Sequence, residues 1–231
     1  MFKPLSLAES KASNQETKSA KDPWWPLLPV PSEAPKPELT HYKLKDPSRV
    51  WSYRDAQGRL LGHVLRFEKP DGSKETRPLV FCQGPEGQRQ WRWKSFPAPR
   101  PLYGLERLHA RMEAPVLLVE GEKAADAAQE IFPEHVAITS PGGSNAAGQA
   151  DWSPLQGRQV IIWPDADEAG RKYALQVAEL CLSAGAAGVQ IVDPPGDLPQ
   201  GWDLADDPPA DWDSGRRAVF GRNRKRNQGR D

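Results

Sequence analysis

Residues 160–171 read VIIWPDADEAGR. Four apolar residues are followed by a proline and then by two carboxylates, Asp165 and Asp167, with Gly170 close behind. A short continuous apolar run bounded by turn formers is typical of a buried strand. The stretch therefore predicts a strand that ends at two acidic side chains and leads into a helix.

The same pattern recurs through the second half of the chain. Strands in a parallel sheet are continuous apolar runs that alternate with helices, and ligands bind beyond the carboxyl ends of such strands. The sequence therefore predicts a parallel sheet covered by helices. Its predicted strands are VLLV at 116–119, HVAITS at 135–140, VIIW at 160–163 and GVQIVD at 188–193, and its predicted helices cover 123–132 and 169–185.

Acidic residues follow the predicted strands at one edge of this sheet. Glu120 ends the first strand, Asp165 and Asp167 follow the third, and Asp203 lies in a loop beyond the fourth. Carboxylates that converge on one rim repel each other, and hard oxygen ligands suit Mg²⁺ or Mn²⁺ better than zinc. Individually, Asp167 could cap a helix and Glu120 could favour a helix start. Their shared edge favours a metal site.

Charge is unevenly distributed although the net charge is zero. Residues 41–114 hold 15 Lys and Arg against 8 Asp and Glu, whereas residues 115–207 hold 4 against 15. A basic surface attracts polyanions, and a focused acidic site attracts divalent cations. The chain therefore combines a candidate nucleic-acid surface with a candidate metal site.

The basic segment contains short aromatic and β-branched runs between residues 48 and 97, separated by turn formers. These runs predict an antiparallel meander of three or four strands. In RQWRWKSF, alternation places Trp91 and Trp93 on an inner apolar face and Arg92 and Lys94 on an outer basic face. A solvated edge strand guarded by positive charge is the alternative interpretation. Arg92, Lys94 and Arg100 are the candidate phosphate contacts.

The ends of the chain and its rare residues complete the predicted organisation. The Pro-rich start lacks an apolar signal core, and no apolar run reaches the roughly 18 residues of a membrane span, so we expect a cytoplasmic protein without membrane contact. Cys82 and Cys181 are too few and too distant for a disulfide framework or a zinc ribbon. We predict a disordered Pro-rich arm at 1–44, a basic β-rich subdomain at 45–112, an α/β domain at 113–208 and a flexible basic tail at 209–231.

Two motifs of the α/β domain resemble those of the Toprim family, a metal-binding catalytic module of bacterial-type primases, topoisomerases and several nucleases. The first Toprim motif is a strand that ends in Glu-Gly, here Glu120-Gly121. The second is a strand followed by Asp-x-Asp-x-x-Gly, here Asp165, Asp167 and Gly170. The stretch DADEAGR is especially similar to the primase branch. The sequence has neither zinc-ligand cysteines nor a Gly-Lys-Ser/Thr phosphate loop, so it resembles the reduced primases of phages and plasmids.

This resemblance implies a Toprim-like parallel sheet flanked by helices and a primase-like nucleotidyltransferase. Such an enzyme synthesises short primers on single-stranded DNA from nucleoside triphosphates, here during replication of a mobile element or phage. The implied catalytic residues are Glu120, Asp165 and Asp167. The implied ligands of Mg²⁺ or Mn²⁺ are the same three residues and Asp203.

The basic residues next to the two motifs, Lys123, Arg171 and Lys172, are further candidates for binding nucleotide or nucleic acid. A separately encoded replicative helicase is a candidate partner. Two other functions stay open at this point. One is a Toprim nuclease that hydrolyses phosphodiesters with water as the nucleophile. The other is a catalytically idle module that binds nucleic acid and recruits replication proteins.

Overall fold

A computed structural model describes residues 22–213. It contains a five-stranded antiparallel sheet followed by a four-stranded parallel sheet with helices. This confirms the predicted fold class, an α/β parallel sheet preceded by a small antiparallel β-rich unit. The elements are β1 (Trp25–Pro26), β2 (Arg49–Arg54), β3 (Leu60–Glu68), β4 (Lys74–Gln83), β5 (Arg89–Trp93), α1 (Leu105–Ala110), β6 (Val116–Val119), α2 (Glu122–Ile131), β7 (Val136–Ile138), β8 (Gln159–Trp163), α3 (Glu168–Ser183) and β9 (Gly188–Ile191), with two 3₁₀ turns at Ser144–Gln149 and Ser153–Leu155.

The parallel sheet has the strand order β7-β6-β8-β9. Its two central strands, β6 and β8, are direct neighbours, and Val119 at the end of β6 pairs with Trp163 at the end of β8. The residues that follow these strands therefore emerge side by side at the carboxyl edge of the sheet. This topology brings the Glu-Gly motif next to the Asp-x-Asp motif.

Three hairpins connect strands β2 to β5 of the antiparallel sheet, and each turns at a glycine with positive φ, the first at Gly58 (φ 79°) between β2 and β3. Gly72 (φ 77°) lies between β3 and β4, and Gly87 (φ 84°) lies between β4 and β5. Both reversals were expected from the turn-forming residues. The sheet has five strands rather than the predicted three or four, because β1 of the Pro-rich segment pairs with β4.

The Pro-rich segment packs on this sheet over residues 22–44. Leu27 N donates to Phe81 O at 2.8 Å, which extends the β1–β4 pairing. The prediction of a disordered arm over 1–44 is therefore wrong for residues 22–44. Apolar side chains of the Pro-rich segment pack against both faces of the sheet, which the sequence pattern did not predict.

Two predictions about the chain ends lie outside the described residues. They are the disorder of the arm over residues 1–21 and the flexible basic tail from residue 214 onward.

Both faces of the antiparallel sheet are buried, which changes the predicted role of β5. Paired residues of neighbouring strands share a face. Arg92 pairs with Val80, which is buried in the core that faces α2, whereas Trp93 pairs with Leu79 in a small cluster on the opposite face. Trp91 and Trp93 share an apolar face and Arg92 and Lys94 the other, as predicted, but the basic face is half-buried under the Pro-rich segment rather than open. The alternation of side chains separates the two faces of a strand. It does not show how much of each face is covered by other segments of the chain.

The main core joins the two sheets. It contains Trp51 and Tyr53 of β2 together with Leu117 and Val119 of β6 and the alanines of α2. The alternate residues of β6 point to a second core, which α3 covers on the other face of the parallel sheet. As expected, Cys82 and Cys181 are buried free thiols. Among residues 22–213, no helix is long and apolar enough to span a membrane.

Candidate active site

Glu120 is placed by the turn between β6 and α2. The next residue, Gly121, has φ 88°, a backbone conformation that glycine adopts readily and other residues rarely do. Its amide donates to Thr139 Oγ1 at 3.0 Å, which ties the turn to the end of β7. The half-buried Glu120 carboxylate therefore sits at a turn that is fixed by the glycine conformation and by the hydrogen bond to Thr139.

Asp165 and Asp167 are placed by the start of α3. Asp167 is the N-cap of this helix, and its Oδ1 accepts a hydrogen bond from Gly170 N at 2.7 Å. A Cβ atom on Gly170 would lie 2.4 Å from the backbone oxygen of Asp165. The glycine of the motif is required because the helix packs directly on the backbone of Asp165.

The loop after β9 brings a further pair of acids to this edge. Ala166 N donates to Trp202 O at 3.0 Å, and Gly201 N donates to Ala166 O at 3.2 Å. These two bonds fix the loop to the residue between Asp165 and Asp167. Asp203 follows directly, and its amide donates to Asp206 Oδ2 at 3.1 Å.

The acids form one electrostatic cluster. Burial raises the pKa of Asp165 to about 8, with further contributions from Glu120, Asp203, Asp167 and Asp206. Removing a carboxylate from water and placing it near like charges both disfavour its ionised form. The raised pKa indicates that negative charge at this edge is not fully compensated by protein cations.

The pKa values of Glu120 and Asp203 are raised as well. Burial raises the pKa of Glu120, as does the charge of Asp167, while hydrogen bonds from Ser144 act in the opposite direction. Burial also raises the pKa of Asp203, although the Lys123 ammonium opposes the shift.

This donor set fits a hard divalent cation. All the candidate ligands offer carboxylate oxygens, and a bound cation would relieve the repulsion that raises the pKa of Asp165. Within residues 22–213, no three His, Cys, Asp or Glu side chains are already arranged to hold one metal ion together. Mg²⁺ usually keeps several waters and binds through one or two carboxylates, so it does not require such a ready-made cage.

The predicted basic residues of the α/β half fall into two groups. Lys123 lies within the acidic edge, where its Nζ is 3.0 Å from Asp206 Oδ1 and 3.9 Å from Asp203 Oδ1. Arg171 and Lys172 lie on the exposed first turns of α3. Arg171 borders an open pocket of about 430 Å³ together with Ala166 and the loop after β9.

Arg92 and Lys94 already contact the N-terminal segment. The Arg92 guanidinium lies 4.6 Å from the ring centre of Trp24. Lys94 Nζ is 3.0 Å from Asp22 Oδ2 and also donates to the Trp24 carbonyl oxygen. The segment therefore covers the two residues that the sequence predicts as phosphate contacts.

Arg100 lies closer to the acidic edge. Its amide donates to Gln149 O at 2.7 Å, and a Cβ atom on Gly142 would lie 3.1 Å from one of its guanidinium nitrogens. Arg100 therefore sits over the Gly-Gly loop that follows β7, on the same edge of the sheet as Glu120.

A family model described as a domain of unknown function, DUF6371, matches residues 40–166, more than half of the chain. The chain belongs to the DUF6371 family. The matched part of this DUF6371 protein includes the antiparallel sheet strands β2–β5, Glu120 and Asp165. No curated protein matches the chain significantly.

Solved structures similar to the DUF6371 protein include several primases. The zinc-binding and RNA polymerase domains of the Aquifex aeolicus primase are 25% identical with a TM-score of 0.45, over 67% of this chain and 34% of that one. A DNA primase domain from Pseudomonas aeruginosa is 17% identical with a TM-score of 0.43, over 80% and 55%. The Escherichia coli primase catalytic core is 23% identical with a TM-score of 0.42, over 68% and 46%. The DUF6371 protein thus spans from about a third to about half of these chains.

Several residues of the edge were not predicted from the sequence. Thr139 and Ser144 contact the Glu-Gly turn, and Asp206 binds Lys123. The available signal for the first two was their polar character, since Thr139 lies at the end of the predicted strand HVAITS and Ser144 lies in the PGGS loop that follows it. Asp206 belongs to the acidic stretch that already contained Asp203.

Proposed function

We propose that this DUF6371 protein is a primase-like nucleotidyltransferase that joins nucleoside triphosphates into short primers on single-stranded DNA. The observation that carries the proposal is the cluster of Glu120, Asp165, Asp167 and Asp203 at the carboxyl edge of the parallel sheet. Its uncompensated charge is what a site for metal-bound triphosphate requires. The Toprim resemblance of the two motifs supports the same chemistry, and replication of a mobile element or phage is the context that the proposal includes.

The acids would hold Mg²⁺ or Mn²⁺ through Asp165 and Asp167, with Asp203 and Glu120 completing the set. When bound, such an ion neutralises triphosphate charge and aligns the reacting groups. Glu120 has a second role in the proposal. As an alternative to binding the ion, Glu120 would accept the proton of the attacking hydroxyl group, since it lies at the end of β6 directly beside the Asp-x-Asp motif.

The basic side chains near this edge have different roles in the proposal. Lys123 binds Asp206 and so offsets part of the acidic charge beside Asp203. Arg100, over the Gly-Gly loop, is placed to contact a phosphate of the substrate or template. Arg171 and Lys172 are exposed on α3, where they would contact nucleotide from the other side of the Asp-x-Asp motif.

The β-rich unit, residues 45–112, would hold the template strand. Phosphate contacts from basic residues and stacking on aromatic rings are the usual means of binding single strands without sequence preference. In this proposal Arg92 and Lys94 contact the template after the segment around Trp24 leaves them. A separately encoded replicative helicase would deliver the template.

Incubation with single-stranded DNA, Mg²⁺ or Mn²⁺ and labelled nucleoside triphosphates tests the proposal. Labelled oligomers are expected. Shortening of the template would instead identify a nuclease, and DNA binding without either product would identify a non-catalytic module.

A charge-removing variant connects the activity to the site. Glu120→Gln is expected to lower turnover by about 10²- to 10⁴-fold, since a positioned proton acceptor contributes this much, while DNA affinity stays unchanged. The matched control is Glu179→Gln on the exposed face of α3. Equal turnover in the two variants would remove Glu120 from the chemical step.

A further inference from the structure

The helix that begins directly after the Glu-Gly turn carries a buried acid, Glu122, and a half-buried acid, Asp126, that the proposed chemistry does not use. Glu122 lies in the first turn of α2 and is only 7% exposed. Its Oε1 accepts a hydrogen bond at 2.7 Å from the hydroxyl of Tyr53, which is 0% exposed in the middle of β2. This pair joins the antiparallel sheet to α2 across the main core.

The second acid, Asp126, lies one turn further along the same face of α2. Its Oδ2 accepts from Trp51 Nε1 at 2.8 Å, and its Oδ1 accepts from the Tyr103 hydroxyl at 2.7 Å. Both carboxylate oxygens are therefore engaged by aromatic donors from the other half of the protein.

The two contacts to β2 match in spacing. Trp51 and Tyr53 are two residues apart on a strand, about 6.6 Å, and point to the same face. Glu122 and Asp126 are four residues apart on a helix, about 6 Å along its axis. Because two points are fixed on each element, the contacts define both the rotation of α2 about its axis and its position along β2.

Stability alone does not account for these contacts. Within residues 22–213, neither Glu122 nor Asp126 forms an ion pair, so both carboxylates are held only by neutral donors. Burying a carboxylate without a cation is costly, and apolar side chains of similar volume usually stabilise a core as well or better. Hydrogen bonds, unlike apolar contacts, fix direction and register.

The orientation of α2 decides the geometry of the acidic edge. Its first residue is separated from Glu120 only by Gly121, and its second residue, Lys123, binds Asp206. A rotation of α2 would therefore move Glu120 and Lys123 together relative to Asp165 and Asp203.

We propose that Tyr53 and Trp51 are positioning residues for the metal centre, because they hold α2 in the orientation that turns Glu120 towards the other carboxylates. The inference rests on the proposed function, in which these carboxylates hold a divalent ion. In the inference, the geometry of the metal site also depends on two residues of the β-rich unit. Both lie more than 65 positions from Glu120 in the sequence.

Tyr53→Phe and Trp51→Phe test the inference, since each removes one donor and keeps a ring in the core. We expect Mn²⁺ affinity, measured by titration with electron paramagnetic resonance, to fall about tenfold or more in each variant. Supporting residues behind metal ligands typically change metal affinity or activity by 10- to 100-fold. The turnover number should fall with it, while the affinity for single-stranded DNA stays within about twofold.

Two control variants separate positioning from general stability. Trp91→Phe also removes an indole donor, from Trp91 to Pro35 O at 2.7 Å, but it packs against the small cluster on the face of the antiparallel sheet that points away from α2. It should leave Mn²⁺ affinity unchanged. Glu122→Gln keeps an oxygen acceptor for Tyr53 without the charge, and it should retain near wild-type Mn²⁺ affinity.

Variants Tyr53→Phe and Trp51→Phe that lower the melting temperature but bind Mn²⁺ like the wild type would overturn the inference. Equal losses in Trp91→Phe would do the same. A wild-type protein that binds Mn²⁺ but forms no labelled oligomers would refute the proposed function alone, because the Mn²⁺ titrations would still measure the effect of Tyr53 and Trp51.

Discussion

Replacing Asp165 by Asn should make the metal-free protein more stable at neutral and alkaline pH. Within residues 22–213 the Asp165 carboxylate makes no hydrogen bond or ion pair, so the amide loses no partner. What it removes is a charge that burial and four neighbouring acids disfavour. The gain in stability should depend on pH in a way that identifies its origin.

The magnitude follows from the pKa of Asp165, about 8 in the folded protein against 3.8 as the ordinary value. Because the folded-state pKa is raised, the carboxyl favours folding while protonated, and this stability is lost as pH rises from about 4 to about 8. At pH 7 the loss amounts to at most about 4 kcal/mol, at 1.36 kcal/mol per pH unit. Partial exposure of the side chain to solvent reduces it, so about 2 kcal/mol is the expected difference.

Thermal unfolding between pH 4 and 8.5 in the presence of a chelator measures this difference. Wild type and Asp165→Asn should melt together near pH 4. At pH 8 the variant should melt roughly 4–8 °C higher, since about 2–4 °C corresponds to 1 kcal/mol in a protein of this size. Added Mg²⁺ should raise the melting temperature of the wild type and leave that of the variant unchanged.

Glu179→Gln, on the exposed surface of α3, controls for loss of charge as such and should follow the wild type at every pH. The reasoning is refuted if Asp165→Asn is less stable than the wild type at pH 8, or if the gap between them does not grow with pH. Either result would mean that the carboxylates at this edge do not repel each other strongly enough for a bound cation to stabilise the protein.

Three further predictions concern other contacts. Gly170→Ala should lose about 1–3 kcal/mol in urea unfolding and most of its activity, because the added methyl group would collide with the Asp165 carbonyl; wild-type stability would contradict this. Trp24→Ala should raise the affinity for single-stranded DNA about two- to fivefold in fluorescence anisotropy, since it removes a cation–π contact of about 0.5–1 kcal/mol from Arg92; unchanged affinity would show that Arg92 does not bind DNA. Arg158→Met should destabilise the protein by about 3 kcal/mol or more, because the guanidinium donates to three backbone carbonyls, and calorimetry with an unchanged melting temperature would refute it.

The acidic edge was predictable because its determinants are local. Glu120 directly follows one apolar run, Asp165 and Asp167 follow closely after another, and parallel strands bring such positions to one edge. The short spacing of the Asp-x-Asp motif to Gly170 also predicted the helix that starts there. The role of each acid in catalysis stays a prediction.

The contacts between the two halves were not predictable, because no periodicity reports them. Trp51 and Tyr53 read as ordinary strand residues, and Glu122 and Asp126 as ordinary polar positions of a helix. Their partners lie 69 and 75 positions away. The partial covering of both faces of β5 escaped prediction for the same reason, since it depends on a Pro-rich segment with no periodic pattern.

The core that joins β2 to β6 and α2 also limits how this protein can change over evolutionary time. Neither half could be replaced on its own by recombination, because the two halves share one core. A break near residue 113 would expose Trp51 and Tyr53 to water on the first half. It would expose the alanine face of α2 on the second. Recombination within the family should therefore preserve the two halves together. Substitutions on the inner face of β2 should be inherited together with matching ones on α2, so the aromatic residues of one half and the acids of the other should change as pairs.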